Sequence, residues 1–530
     1  MAYFDSEKQT DTEFIIPRRI SLYWGTISQW MSMAVTIGLG LAVTPIIIRR
    51  LGNESYGLWG LVASFVGFYG LFDLGLSQAV SRFLGNAIGA KDIREFNRVA
   101  STGKCLFSCA SLLVILIAAI MIEPAQSLLS IPADYAKQFG VLILLSATGV
   151  AISLVMAVYG GALLASEDFV PLSCIRTGGA VIRSLGSLLV VLAGKGVVGL
   201  AVVSLASGVL EQFIIFLRCR RRLPQMRSSF FGFETNVARA LLGFAIASFV
   251  VIIAEVLRSK LDVMLVTRFG GLGQAGLYAV ALVIFRYFFR AMFAMFQVAW
   301  ARLNNLYGNG DLAEFQAFFL RTSHMAAACA ALISGFLIGL APWLIHLWLG
   351  DGYGESVTVL RILIGGYFLE FATNPGIGSL FATARHRYYA AQTAVESVAS
   401  FTLAFILGSK FGMIGVALGI VVPIVIVKLT IQPWYVARNL SIGLTGYWFR
   451  VIAMATLAMV VLAGGFASVS YSFSRWGLGM TSLITASSIL ISVTVLWQLV
   501  LDKTDRAHFI LRLNQAAIAL RDRVSKISCI

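Results

Sequence analysis

Arg286 and Arg290 stand one helical turn apart in an apolar run, 277–300, with no acidic residue three or four positions from either. On a helix they share a face. Counted from an entry near Gly276 at 1.5 Å per residue, they lie roughly 15 and 21 Å into a hydrocarbon core about 30 Å thick. A charge at that depth costs at least about 2.5–3.5 kcal/mol, so each guanidinium must face protein or water and needs an anion. The anion comes either from acids on other helices, with Glu255, Asp262, Asp73 and Glu370 as candidates, or from a bound phosphate. Paired guanidiniums suit phosphate because their planar forks give charge-assisted, bidentate hydrogen bonds.

The preceding apolar run, 244–266, carries Glu255, Arg258 and Asp262 at i, i+3 and i+7, one face of a helix, with Lys260 pointing elsewhere and able to snorkel outward. Arg258 either pairs with those acids along the helix or joins the other arginines. Arg183 sits near mid-depth in its own span, and Arg176 lies nearer the entrance. The candidate substrate-binding set is therefore Arg286, Arg290, Arg258, Arg183 and Arg176. Asp73, Glu255, Asp262 and Glu370 are candidates for structural ion pairs or ion coupling, and Asp73 is expected to fix helix packing or a salt bridge. Glu211, Glu396 and Lys428 are also intramembrane, without a pattern that assigns them.

These charges need many helices to hold them. The chain has 530 residues, 58% hydrophobic and only 12% charged, with a mean hydropathy of +0.86. Soluble domains carry about 25% charge, so this is a polytopic membrane protein. The net charge of +16 lies mostly between apolar segments, which fits topology and not nucleic acid. Six cysteines and four scattered histidines form no metal set. No Asp-x-Asp, phosphate loop, His-Glu-x-x-His or Gly-x-Ser-x-Gly occurs, so no enzyme is expected. Neither a metal nor a cofactor is expected; a proton or sodium is the candidate coupling ion.

Apolar runs of 18 or more residues predict about fourteen spans, with cores at 22–47, 57–83, 101–122, 139–163, 171–193, 197–217, 243–266, 276–300, 323–348, 357–382, 389–408, 413–432, 449–470 and 478–501. Residues 1–19 show no cleavable signal and read as a cytoplasmic tail. Lys91, Arg94, Arg98 and the run Arg218 to Arg227 concentrate on one side, which places both termini in the cytoplasm. Residues 503–530 predict an amphipathic helix at the inner headgroup layer.

The chain repeats itself. Gly89-Ala90-Lys91-Asp92-Ile93-Arg94-Glu95-Phe96 matches Gly308-Asn309-Gly310-Asp311-Leu312-Ala313-Glu314-Phe315, 219 residues later. Arg50-Leu51-Gly52 with Gly57-Leu58 matches Arg268-Phe269-Gly270 with Gly276-Leu277, and Gly196-Val197-Val198-Gly199-Leu200-Ala201 matches Gly412-Met413-Ile414-Gly415-Val416-Ala417. Six spans per period give two copies, 20–235 and 236–445, inserted the same way round, with spans 446–502 appended. Parallel repeats of this kind are a transporter architecture, with the site between the halves.

Leu51-Gly52-Asn53-Glu54-Ser55-Tyr56-Gly57-Leu58, Asp73-Leu74-Gly75-Leu76 and Gly276-Leu277-Tyr278 resemble the polysaccharide-exporter branch of the multidrug/oligosaccharidyl-lipid/polysaccharide superfamily. The resemblance spans nearly the whole chain and implies an all-α fold of two six-helix bundles in a V, with two extra helices. It implies a flippase that moves an undecaprenyl-diphosphate-linked glycan across the bacterial inner membrane by alternating access, in contact with the bilayer and with other polysaccharide assembly proteins. A cation-coupled exporter of small molecules shares that fold; buried carboxylates in place of unpaired arginines would mark it.

Overall fold

A computed structural model describes residues 22–229, 232–308 and 311–475. The N-terminal tail, the fourteenth expected span and the expected tail helix lie outside the described residues. Within them the protein is helical, without a strand.

The helices run in order: α1 Leu22–Leu51, α2 Asn53–Tyr69, α3 Leu76–Gly89, α4 Ile93–Leu128, α5 Ala133–Ala165, α6 Phe169–Leu192, α7 Gly196–Arg222, α8 Thr235–Gly308, α9 Leu312–Leu349, α10 Gly354–Ala372, α11 Asn374–Ala382, α12 His386–Leu429, α13 Ile431–Asn439, α14 Leu444–Tyr447 and α15 Met454–Arg475. Eleven stretches among the described residues are long and apolar enough to cross a bilayer. Every apolar core expected between 22 and 470 is mainly helical. The expected pair 243–266 and 276–300 shares α8, and the pair 389–408 and 413–432 falls mainly in α12.

Both long helices are interrupted at a glycine. Gly271 breaks α8 at φ 74°, ψ −179°, and Gly412 breaks α12 at φ 57°, ψ −137°. Only glycine adopts such positive φ without strain. Some of the matched positions share local geometry. Gly52, 219 positions before Gly271, has φ 78° and ψ 167°, and Gly196, matched to Gly412, has φ 62°. The backbone thus pairs Gly52 with Gly271 and not with Gly270, one residue from the match drawn on the Arg-x-Gly triplets. Asp92 and Asp311, also 219 apart, each cap a helix by accepting the backbone N–H three residues on, from Glu95 and Glu314, both at 2.9 Å.

Two expected spans are bent. In the second, a 3-10 turn, Gly70–Asp73, and left-handed Leu74 and Gly75 separate α2 from α3. In the tenth, Thr373 separates α10 from α11, where Pro375 removes a donor from the helical ladder.

By packing, the chain forms two compact units, Met1–Gly276 and Leu277–Ile530. In the first, α5 is central and packs on α2, α3, α4 and α7, while α1 and α6 form an outer pair. In the second, the α10–α11 stretch is central, and its most apolar window is 72% buried; α9 and α12 flank α10, and α15 lies along α9.

Candidate functional site

The second limb of α8 presents an aromatic stripe to α10 and α11. Phe285 meets Tyr367 at a centroid distance of 4.8 Å; Phe289 meets Tyr367 at 5.8 Å and Phe371 at 5.3 Å. Phe293 packs on Trp300 at 5.8 Å, and Trp300 stacks on Phe381 at 5.9 Å. The Trp300 indole donates to Asn374 Oδ1 at 3.1 Å, at the break between α10 and α11. Each edge or offset ring pair adds about 0.5–1.5 kcal/mol beyond buried area, so this face is fixed.

Arg286 and Arg290 follow Phe285 and Phe289 by one residue and so occupy the neighbouring stripe of the same limb. Arg286 is half-buried and Arg290 exposed. Neither makes an ion pair or hydrogen bond with a described residue. A rigid aromatic seam thus holds two guanidiniums one turn apart, without an ion pair or hydrogen bond to them among the described residues. That arrangement can take an anion with two phosphoryl groups.

Arg183 differs. Its Nη2 lies 3.3 Å from Glu211 Oε2 on α7, and its Nε donates to Ser207 Oγ at 3.4 Å. The Glu211 carboxylate rests on Gly179 of α6, where a side chain would collide with it. Arg183 therefore has an internal acid, although 46% of its side chain is exposed. Arg176, two turns earlier on α6, is exposed and lies within the electrostatic reach of the same Glu211.

The acids take structural positions. Asp73 Oδ1 accepts the Ser77 backbone N–H at 3.3 Å and the Ser77 hydroxyl, capping α3, and it forms no ion pair with a described residue. Asp262 is buried and accepts the Val263 N–H at 2.8 Å; Glu370 is buried in α10; both have further partners. Lys260 does not extend freely outward: its methylenes lie over Gly67 of α2. The side chains of Glu255 and Arg258 lie outside the described residues.

Two arrangements escaped the sequence reading. Asp168, fully buried at the head of α6, accepts Arg218 Nε at 2.7 Å and Nη2 at 3.0 Å, with Arg222 Nε at 3.7 Å. The i, i+4 spacing of those arginines was the only local signal, with their acid 50 positions away, and in the sequence they read as topological charge. The segment after α7 is strapped to α4. Asn97 bonds Gln225 O and Arg227 N at 3.3 and 2.7 Å, and Ser101 bonds Arg227 O and Ser229 N at 3.3 and 3.1 Å. Arg98 adds an ion pair to Glu234 at 2.8 Å. A separate cavity of about 750 Å³, lined by Leu429, Trp434, Trp448 and Phe449 among others, is apolar and offers no cation to a phosphate.

The class follows from the fold. The lipid II flippase MurJ in an inward closed conformation superposes with a TM-score of 0.70 over 90% of this chain and 99% of that one, at 14% identity. An inward-facing multidrug resistance transporter of the MATE family superposes at 0.68 over 79% and 99%, at 17% identity. The fold is that of the multidrug/oligosaccharidyl-lipid/polysaccharide superfamily, in a multi-pass membrane protein. More narrowly, residues 46–358 match the family model described as polysaccharide biosynthesis protein, and the chain belongs to that family. Among curated relatives it is similar to the uncharacterized membrane protein EpsK of Bacillus subtilis strain 168, 21% identical over 78% of this chain and 81% of that one. It is equally similar, at 21% over 78% and 98%, to a putative O-antigen transporter of Shigella flexneri.

Proposed function

We propose that this protein is a flippase that moves an undecaprenyl-diphosphate-linked oligosaccharide across the bacterial inner membrane for surface polysaccharide assembly. The observation that carries the reading is the pair Arg286 and Arg290, fixed by an aromatic seam and left without a protein anion among the described residues. In a chain of the polysaccharide biosynthesis family, the anion that completes them is the lipid diphosphate. Carrying that headgroup unaided through hydrocarbon is prohibitive, since even one charge is expensive there.

In this reading Arg286 and Arg290 bind the diphosphate by charge-assisted hydrogen bonds, and Arg258 is a further candidate donor. Arg183, braced by Glu211, and Arg176 present donors to the polar glycan. The prenyl chain stays in lipid, and access alternates between the two leaflets. No covalent step is involved. The relatives' names, a putative O-antigen transporter and a lipid II flippase, are consistent with a lipid-linked glycan as cargo.

The test is complementation of a strain that lacks its own glycan flippase. The wild-type chain restores surface glycan. The variant with Arg286→Ala and Arg290→Ala reaches the membrane in equal amount and does not. Normal export by that variant overturns the assignment, and transport of a cationic dye without any lipid-linked glycan favours a small-molecule exporter.

A further inference from the structure

The two limbs of α12 form a close antiparallel hairpin about Gly412. Side chains at Gly415 and Gly419 would strike the backbone of Leu407 and of Leu403 and Ala404 on the facing limb, so only glycine permits this approach. Ser400 Oγ donates to Ile420 O at 3.1 Å across the same seam. Continuing along both limbs, roughly 12–14 Å at 1.5 Å per residue, brings Glu396 opposite Lys428.

The Lys428 ammonium lies 3.9 Å from Glu396 Oε2 and donates to Gln432 Oε1 at 2.8 Å. Gln392 Nε2 donates to the same Gln432 oxygen at 3.2 Å, and Gln432 Nε2 donates to the Thr373 carbonyl at 3.2 Å. Lys428, Glu396 and Gln432 are each 1% exposed and Gln392 is 7% exposed. Gln392 Oε1 is buried without a hydrogen-bond partner among the described residues.

The Glu396 carboxylate and the Gln432 amide oxygen are oxygen ligands of the kind a hard monovalent cation takes. Here a positive charge on a four-carbon tether donates to Gln432 Oε1 and lies beside Glu396. We infer that Lys428 is a built-in cation in a latent alkali-cation site formed by Glu396 and Gln432, with the Gln392 amide holding Gln432 in place. In the wild-type chain the ammonium neutralises Glu396, and the nest takes no ion from solution. Sodium coupling, one of the options left open by the sequence, does not pass through this nest. This inference does not depend on what the protein transports.

The ion pair also explains an asymmetry. The α6–α7 hairpin of the first unit carries Arg183 on its first limb and Glu211 on its second; the α12 hairpin carries the acid first and the base second. The first pair is open to its surroundings, and the second is sealed.

The experiment uses the purified full-length chain in detergent. Its melting midpoint is measured with sodium chloride and with choline chloride at equal ionic strength. The wild type is expected to melt at the same temperature in both. Lys428→Ala should gain a sodium-dependent rise of about 2 °C or more, because an ion bound only by the folded state stabilises it. Adding Glu396→Gln to Lys428→Ala should abolish the gain. Should the alanine variant fail to fold, Lys428→Gln, which keeps much of the volume and contributes an amide oxygen, gives the same readout. A sodium response in the wild type that Glu396→Gln removes overturns the inference. So does the lack of any sodium response in the folded Lys428 variants, since a proton would then have replaced the ammonium.

Discussion

Gly57 and Gly276, 219 positions apart, face each other reciprocally: a side chain on Gly57 would strike the Leu272 carbonyl, and one on Gly276 would strike the Asn53 carbonyl. Asn53 and Leu272 are themselves 219 apart, so the contact pairs each position with the counterpart of the other at that offset. Gly57→Val should destabilise the protein by about 1–3 kcal/mol through overpacking, read as a lowered melting midpoint of the purified protein. Gly160→Ala is the control. Among the described residues, nothing outside its own stretch of helix lies within 4 Å of the added methyl, so the midpoint should hold or rise.

Asp168→Asn should destabilise the first unit. The amide keeps the shape but leaves Arg218 and Arg222 without their shared negative charge. A loss of about 1.5–3 kcal/mol is expected, the usual value of a hydrogen bond to a charged group. An unchanged midpoint would mean that the arginines satisfy themselves elsewhere.

Arg183→Glu and Glu211→Arg should each lower membrane accumulation, because each replaces the ion pair across α6 and α7 with like charges. The double variant should recover much of the loss. A coupling of about 0.5–1 kcal/mol is expected, at the low end for contacting residues because Arg183 is half exposed. Additive losses in the cycle would show that the pair contributes nothing.

Asp73→Ala should cost about 1 kcal/mol of stability through the lost cap on α3 and leave export largely intact in both sodium and choline media. Loss of export at full expression would instead make Asp73 a coupling residue.

Arg286→Lys with Arg290→Lys should reach the membrane normally yet lower the export rate by about tenfold or more. Lysine keeps the charge but gives up the bidentate fork, and the lost charge-assisted bond is worth about 1.5 kcal/mol or more. Full activity would reduce the role of these residues to charge alone.

Much of the fold was legible because a bilayer imposes a long apolar run on each span, whereas Asp92 and Asp311 stand in the sequence only as matching positions and the structure shows them as caps. Arg286 and Arg290 stood out by the same local logic, since the lack of an acid within a turn can be read from the chain. The pairing of Arg183 with Glu211 could not: the two are 28 positions apart on different helices, and helical periodicity says nothing about which faces meet. The bend at Leu74 was hidden for another reason, as a left-handed leucine carries no sequence mark. Lys428 and Glu396 were visible as charges in apolar runs, but only the glycine hairpin shows that they oppose each other.

The strap on α4 holds the stretch after α7 largely through its own peptide groups, which Asn97 and Ser101 grip on both donor and acceptor sides. Such a grip does not read the side chain of Arg227. A substitution there should therefore be tolerated by the strap, and a polypeptide severed after Ser229 and supplied as two fragments would keep the end of its first fragment moored, a natural seam for split-protein reassembly.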